Sequence, residues 1–198
     1  MLLKRFFDLF ISIVGLIIFS PLLILLSILI ALESRGPIIF KQDRAGLNGK
    51  VFKTLKFRTM RIDEKNYHPL TIKNDPRITR VGNFLRNTKL DELPQLFNVV
   101  RGEMSLVGPR PETLDLIKYW PEDKKRIILS IKPGITDNAS IKYFSESDLL
   151  QGREQSIQIY SEDILPKKLK IYEDYVLNQT FLNDLKIIFK TIFKVIRQ

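Results

Sequence analysis

The sequence predicts an α+β chain. Residues 1–32 read as a re-entrant membrane helix-break-helix, and residues 33–198 as a small helix-rich α/β domain with a β-hairpin and amphipathic interfacial helices. Three observations carry this. Leu9 to Leu32 is an uncharged, apolar run of about 24 residues, long enough to span a bilayer. Asn48-Gly49, a strong hairpin-turn pair, separates two apolar runs. Phe181, Leu185, Ile188, Ile192 and Val195 recur at helical spacing near the end of the chain.

The apolar run is too long for an ordinary cleaved signal, and no small-residue cleavage site follows Ala31. Ser20-Pro21 sits at its middle. A proline in a helix interior removes one hydrogen bond and clashes with the preceding turn. The run then divides into two half-helices of about 12 residues, each rising roughly 18 Å, against a hydrocarbon core of about 30 Å. Lys4 and Arg5 precede it; Arg35, Lys41 and Arg44 follow. Basic flanks prefer the cytoplasm, so a hairpin bent at Ser20-Pro21 keeps both inside. A kinked spanning helix is the competing reading. Asp8, at the mouth of the run, is expected to pair with Lys4 or Arg5 and cap the helix start.

After Pro37, Ile38 to Phe40 and Val51 to Phe57 read as the two strands of the hairpin. Asp75-Pro76 opens a new element, and Thr79 to Arg86 reads as a helix. A second helix is expected to begin near Asp91, and Met104 to Val107 reads as a short strand before the rigid loop Gly108-Pro109-Arg110-Pro111. Pro121 to Ile131 has a charged helical pattern that stops at Lys132-Pro133-Gly134. Ser145 to Pro166 is polar and carries no clear pattern. On the last helix, Lys186, Lys190, Lys194 and Arg197 line a second face. Such a helix can lie on an anionic membrane or pack its apolar face on the domain.

The formal net charge is +10, which points to an anionic partner. There is no cysteine, so a disulfide scaffold, a thiolate zinc site and a thiol nucleophile are excluded. The single histidine, His68, cannot build a His-rich metal site; any metal is expected to be a hard ion on oxygen ligands, such as Mg²⁺.

The strongest local signal is Leu90-Asp91-Glu92-Leu93-Pro94-Gln95. Asp is a favoured N-cap, and proline is tolerated in a first helical turn, so the carboxylates sit at a helix start. Plain capping is the simplest reading. Side chains at adjacent helix positions diverge by about 100°, which does not suit a pair of opposed glycosidase carboxyls. It suits a nucleophile beside a metal ligand. Arg77, Arg80, Arg86, Arg101 and Arg110 flank the pair. They read either as structural ion pairs or as forks for phosphate oxygens. Pro109 and Pro111 fix the backbone around Arg110, so its guanidinium is presented at little entropic cost. Lys56 and Arg58, at the end of the second strand, face either phosphates or solvent. There is no P-loop and no glycine-rich dinucleotide fingerprint.

Taken in order, Lys4-Arg5-x-x-Asp8, Ser20-Pro21, Gln42-Asp43-Arg44-Ala45-Gly46, Lys56-Phe57-Arg58-Thr59-Met60, Leu90 to Leu96, Met104 to Pro111 and Lys132 to Thr136 resemble the small monotopic phosphoglycosyl transferases. These are the bacterial sugar transferases that start polyprenol-linked glycan assembly. The resemblance covers most of the chain. It implies a monotopic protein of the bacterial inner membrane, in contact with its lipids, with a cytosol-facing catalytic domain over 33–198. It further implies Mg²⁺, a UDP-sugar donor and a polyprenol phosphate acceptor. By the same resemblance, Asp91 is the nucleophile and releases UMP, Glu92 (with Asp91) holds the metal, and Arg86 and Arg110 bind phosphate. A homo-oligomer is compatible with the sequence.

One segment departs from the family pattern. After Thr136 many relatives continue through an Ala-Gln segment ending in Asn-Gly-Arg, whereas this chain reads Asp137 to Phe144. Lys142 and Arg153 are the cations left to stand in for that arginine. Two non-catalytic readings compete: a basic peripheral lipid-binding protein, and a membrane-tethered nucleic-acid binder. The first leaves the carboxylate pair unexplained. No recognisable motif supports the second, and no nucleic-acid partner is expected.

Overall fold

The computed structural model describes residues 2–61, 75–144 and 157–197. His68, Arg153 and part of the unassigned stretch after Ser145 lie outside them. The chain is a helix-rich α+β fold. It runs through α1 (Leu2–Glu33), the hairpin strands β1 (Ile39–Ala45) and β2 (Val51–Phe57), α2 (Arg80–Asn87), α3 (Gln95–Arg101), β3 (Ser105–Val107), α4 (Glu122–Ile128), β4 (Gly134–Thr136) and α5 (Asn138–Lys142). It ends with α6 (Leu165–Leu177) and α7 (Phe181–Ile196).

Helix α1 spans 32 residues, about 48 Å at the standard rise, and is long and apolar enough to cross a membrane. It stays helical through Ser20 and Pro21, rather than dividing into two separate helices as the sequence reading expects. Ser20 Oγ donates to the Ile17 carbonyl at 2.8 Å, and such a side chain takes up a backbone group of the kind a proline frees. Most of α1 is exposed. Only Asp8, Ser12, Leu26 and Ile30 are buried.

The ends of α1 are fastened to the rest of the chain by polar contacts. Lys4 Nζ meets Asp184 of α7 at 2.5 Å and the Val107 carbonyl at 3.1 Å. Arg5 donates to the carbonyls of Val99 and Val100 at the end of α3, where cations complement the helix dipole. Asp8 accepts from Ser105 Oγ at 2.8 Å and from the Leu106 amide. The expected pairing of Asp8 with Lys4 or Arg5 and its cap role give way to this. Asp8 lies inside the helix, and each of the three charges finds a long-range partner instead. At the other end, Glu33 accepts from the Arg80 and Val81 amides and so caps α2, helped by Thr79 Oγ1 on the Gly82 amide.

The hairpin pairs Ile39 with Phe57 and Ala45 with Val51. Its turn contains Asn48 (φ 54°) and Gly49 (φ 75°), the two positive angles that an Asn-Gly pair adopts readily. Strand β1 extends five residues past Phe40, because Gln42 and Arg44 sit in register on β2 despite their polarity. Strands β3 and β4 pair in parallel, joined through α4. The sequence reads Lys132-Pro133-Gly134 as a breaker only. Gly134 is also the entry of β4, and a Cβ there would lie 2.1 Å from the Gly108 amide nitrogen.

Three apolar clusters form the core. Leu26 and Ile30 of α1 pack with Phe57 and Leu85. Val99, Met104, Val107, Tyr175 and Ile187 make a second cluster, and Leu116, Trp120, Ile128, Leu169 and Tyr172 a third. Helix α7 contributes Ile187 and Asp184 inward, yet leaves Leu182, Phe189, Phe193 and Ile196 exposed. The two readings of the last helix are therefore not exclusive, since one face packs and a second apolar face stays open.

Gly82 positions α2. A Cβ there would lie 2.0 Å from the Thr59 carbonyl oxygen. Gly82→Ala is expected to destabilise the fold by about 1–3 kcal/mol through overpacking, read as a lowered thermal midpoint in detergent. An unchanged midpoint would mean that α2 and the end of β2 separate at little cost.

Candidate active site

Lys89 takes φ 58°, the left-handed region, and turns the chain after α2 into a single 3₁₀ turn, Leu90–Glu92. Pro94 and Gln95 then open α3. The expected helix start near Asp91 is thus a 3₁₀ turn followed by the helix proper. Asn98, fully buried, ties α3 to the hairpin: its side chain accepts from the Leu55 amide at 3.0 Å and donates to the Lys53 carbonyl at 2.8 Å. That fixes the distance between the carboxylate turn and β2.

Glu92 is the centre of a charge clamp. Lys56 Nζ from β2 lies 2.8 Å from its Oε1. Arg110 reaches the same carboxylate through two nitrogens, at 2.5 Å and 3.2 Å, the bidentate fork geometry. Burial pushes the Glu92 carboxyl up, but Arg110 and Lys56 outweigh it and hold the group well below the usual carboxylate range. The attraction of Glu92 raises Arg110 above its ordinary value, against burial. Burial pulls Lys56 down, with Glu92 opposing.

Asp91 differs from its neighbour. It is 9% exposed, and its carboxyl accepts no hydrogen bond among the described residues. Burial and the adjacent Glu92 charge push it above the usual aspartate range, against Lys56, Arg86 and Lys89. Adjacent carboxylates in different environments titrate apart, a pattern found where two carboxyls have different roles. Arg86 donates from Nε to Thr59 Oγ1 at 2.8 Å and lies in the field of Asp91.

The loop Gly108 to Pro111 is pinned from below. The Gly134 amide donates to the Pro109 carbonyl at 2.9 Å, and the Gly108 amide to the Thr136 carbonyl. Behind it, Arg44 donates to the Pro111 carbonyl and to Gln42 Oε1, and lies 3.4 Å from Glu112. Glu112 in turn accepts from the Tyr160 hydroxyl. Arg44, read from the sequence as a basic flank, thus supports the loop together with Glu112 and Tyr160, to which the sequence assigns no role.

Of the residues singled out from sequence, Asp91, Glu92, Lys56, Arg86 and Arg110 come together. Arg58 does not join them. It is buried beneath α1, and its guanidinium donates to the Ser34 carbonyl at 2.6 Å and to Ser34 Oγ. Strand twist and the end of β2 turn Arg58 toward the helix terminus, where carbonyls lack partners. Lys4, Arg5 and Asp8 anchor α1, and Ser20 and Pro21 lie along its exposed length. Lys142, considered for the missing arginine, is exposed and lies over the Tyr143 ring at 5.8 Å.

The family profile described as bacterial sugar transferase matches residues 1–198. The chain belongs to the bacterial sugar transferase family. Among its relatives is the UDP-glucose:undecaprenyl-phosphate glucose-1-phosphate transferase of Klebsiella pneumoniae, 40% identical over 98% of this chain and 40% of that protein. The undecaprenyl-phosphate galactose phosphotransferase of Salmonella typhimurium is 37% identical over 99% of this chain and 41% of its own length. A putative undecaprenyl-phosphate N-acetylgalactosaminyl 1-phosphate transferase of Bacillus subtilis is 52% identical over 55% of this chain and 62% of its own length. This bacterial sugar transferase sequence therefore spans about two fifths of the first two relatives. The sugars in their names differ, so membership does not select a donor.

Proposed function

We propose that this chain transfers a phosphosugar from a UDP-sugar to undecaprenyl phosphate, releases UMP, and does so through a phosphosugar held covalently on Asp91. The observation that carries this is the pair itself: a buried, hydrogen-bond-free Asp91 beside a Glu92 clamped by Lys56 and Arg110. The activities named for the relatives support the substrate class. Membrane association, with the domain facing the cytoplasm, is part of the proposal. It draws on the apolar length of α1 and on the lipid acceptor.

In the first half-reaction an Asp91 oxygen attacks the sugar-linked phosphorus. The bond to the oxygen shared with the nucleoside phosphate breaks, and UMP leaves with the electron pair. In the second, an oxygen of undecaprenyl phosphate attacks the same phosphorus and the Asp91 carboxylate departs. A carboxylate is a competent covalent nucleophile, and phosphoryl transfer depends mainly on positioning and charge neutralisation. Arg110, paired with Glu92, and Arg86, in the field of Asp91, supply positive charge to the site.

The donor chemistry fits Mg²⁺. Two adjacent carboxylates offer hard oxygens, and one of them accepts no hydrogen bond within the described residues. Mg²⁺ is commonly held by one or two carboxylates and completes its shell with substrate phosphate and water. Glu92, with Asp91, would hold it. The ion would neutralise charge on the diphosphate.

The test is nucleotide release from a panel of UDP-sugars, with Mg²⁺ and undecaprenyl phosphate in detergent. Mg²⁺-dependent UMP is expected from at least one donor; UDP would mean ordinary glycosyl transfer and overturn the reaction. In the same assay Arg110→Ala is expected to lose about 1.5–3 kcal/mol of transition-state stabilisation, the scale of a charge-assisted hydrogen bond. An unchanged kcat/KM would remove Arg110 from the phosphate site.

A further inference from the structure

Lys89 lies two residues before Asp91, in a backbone conformation that lysine seldom takes (φ 58°, ψ 14°). Such strain persists only where the surroundings fix it, and it gathers at binding and catalytic sites. The turn brings the Lys89 ammonium to Phe144, the last described residue of the segment that departs from the family pattern. Nζ lies 4.3 Å from the Phe144 ring centroid and donates to the Phe144 carbonyl at 3.3 Å.

Both are weak partners for a cation. The hydrogen bond is long, and a phenyl face gives only a modest attraction. Among the described residues Lys89 forms no ion pair. It nonetheless lies in the field of Arg110, Glu92, Asp91 and Arg86. Lys56, Arg86, Lys89 and Arg110 all act on Asp91 or Glu92. A half-buried ammonium held only by a ring and a carbonyl gains from a bound anion.

We propose that Lys89 is a further substrate-binding residue, whose ammonium leaves the ring and carbonyl of Phe144 to take an oxygen of the donor's diphosphate beside Asp91. This rests on the reading of the site as one for a nucleotide diphosphate sugar. Phe144 acts as the resting place that keeps the long lysine side chain near the carboxylates. Its cation–π hold is weak enough to be exchanged for a charge-assisted hydrogen bond to phosphate.

The experiment is amine-labelling footprinting of the full chain in detergent, read by peptide mass mapping, with inorganic pyrophosphate as the probe. Pyrophosphate is expected to protect Lys89 and to leave the exposed Lys142 unprotected. Lys89→Gln is expected to raise the donor KM about tenfold or more, and Lys89→Arg to recover most of the loss, as a charge role requires. Phe144→Ala is expected to make Lys89 label faster without pyrophosphate. Equal labelling of Lys89 with and without pyrophosphate would overturn the proposal, as would a Lys89→Gln chain with wild-type KM. Protection of Lys89 in a chain that releases no UMP would keep the anion site and remove the reaction assigned above. UMP release with Lys89 unprotected would do the reverse.

Discussion

Asp91→Asn is expected to abolish UMP release, with a loss of at least about 10³-fold in kcat, equivalent to roughly 4 kcal/mol. The substitution keeps size and polarity but removes the nucleophilic charge. Asp91 accepts no hydrogen bond from the described residues, so the amide breaks no contact and the fold is expected to hold. A matching thermal midpoint with lost turnover separates chemistry from structure. Wild-type turnover in this variant would remove Asp91 as the nucleophile. The same residue sets a pH dependence. Its folded-state pKa is raised by burial and by Glu92, so the ionised nucleophile appears only above the ordinary aspartate value of 3.8. Rate against pH is therefore expected to rise with an apparent midpoint above 3.8. For stability the sign is opposite: the contribution of Asp91 is full below its unfolded value and lost as pH rises through the raised folded value.

Glu92→Ala is expected to destabilise the chain by about 3–5 kcal/mol, because it leaves Lys56 and Arg110 close together without their shared carboxylate. Chemical unfolding of the variant in detergent checks this. In the double variant Glu92→Ala, Arg110→Ala the loss is expected to be smaller than the sum of the single losses, since one stranded charge is removed. Additive losses would mean that the clamp contributes nothing as a unit. The folded Glu92 pKa is depressed, so its contribution is present above the ordinary value of 4.5 and fades only as pH falls through the depressed value.

Much of the fold is legible where local chemistry is strong. Asn48-Gly49 announces the hairpin turn, and Thr79 and the following residues announce α2. The Lys132-Pro133-Gly134 break marks the end of a helix but hides a strand. Strand β4 is three residues long, and its partner lies 29 positions away (Ser105 with Gly134), so no local pattern reveals it. The carboxylate pair and the Arg110 loop are legible because proline, acid and arginine chemistry are concentrated there. Lys56 reaches Glu92, whereas Arg58, two residues on, turns to Ser34 at the end of α1, and no sequence pattern separates the two. Lys89, Glu112 and Tyr160 stayed silent. A left-handed lysine and a loop support from a distant turn have no sequence signature of their own.

The most direct measurement is the intact mass of the chain after mixing with a UDP-sugar and Mg²⁺ but no lipid acceptor. The account predicts a mass increase of one sugar phosphate, located on Asp91 by peptide mapping and discharged on addition of undecaprenyl phosphate. A donor that is turned over to UMP at full rate, with no adduct at any time and none on Asp91, would contradict it.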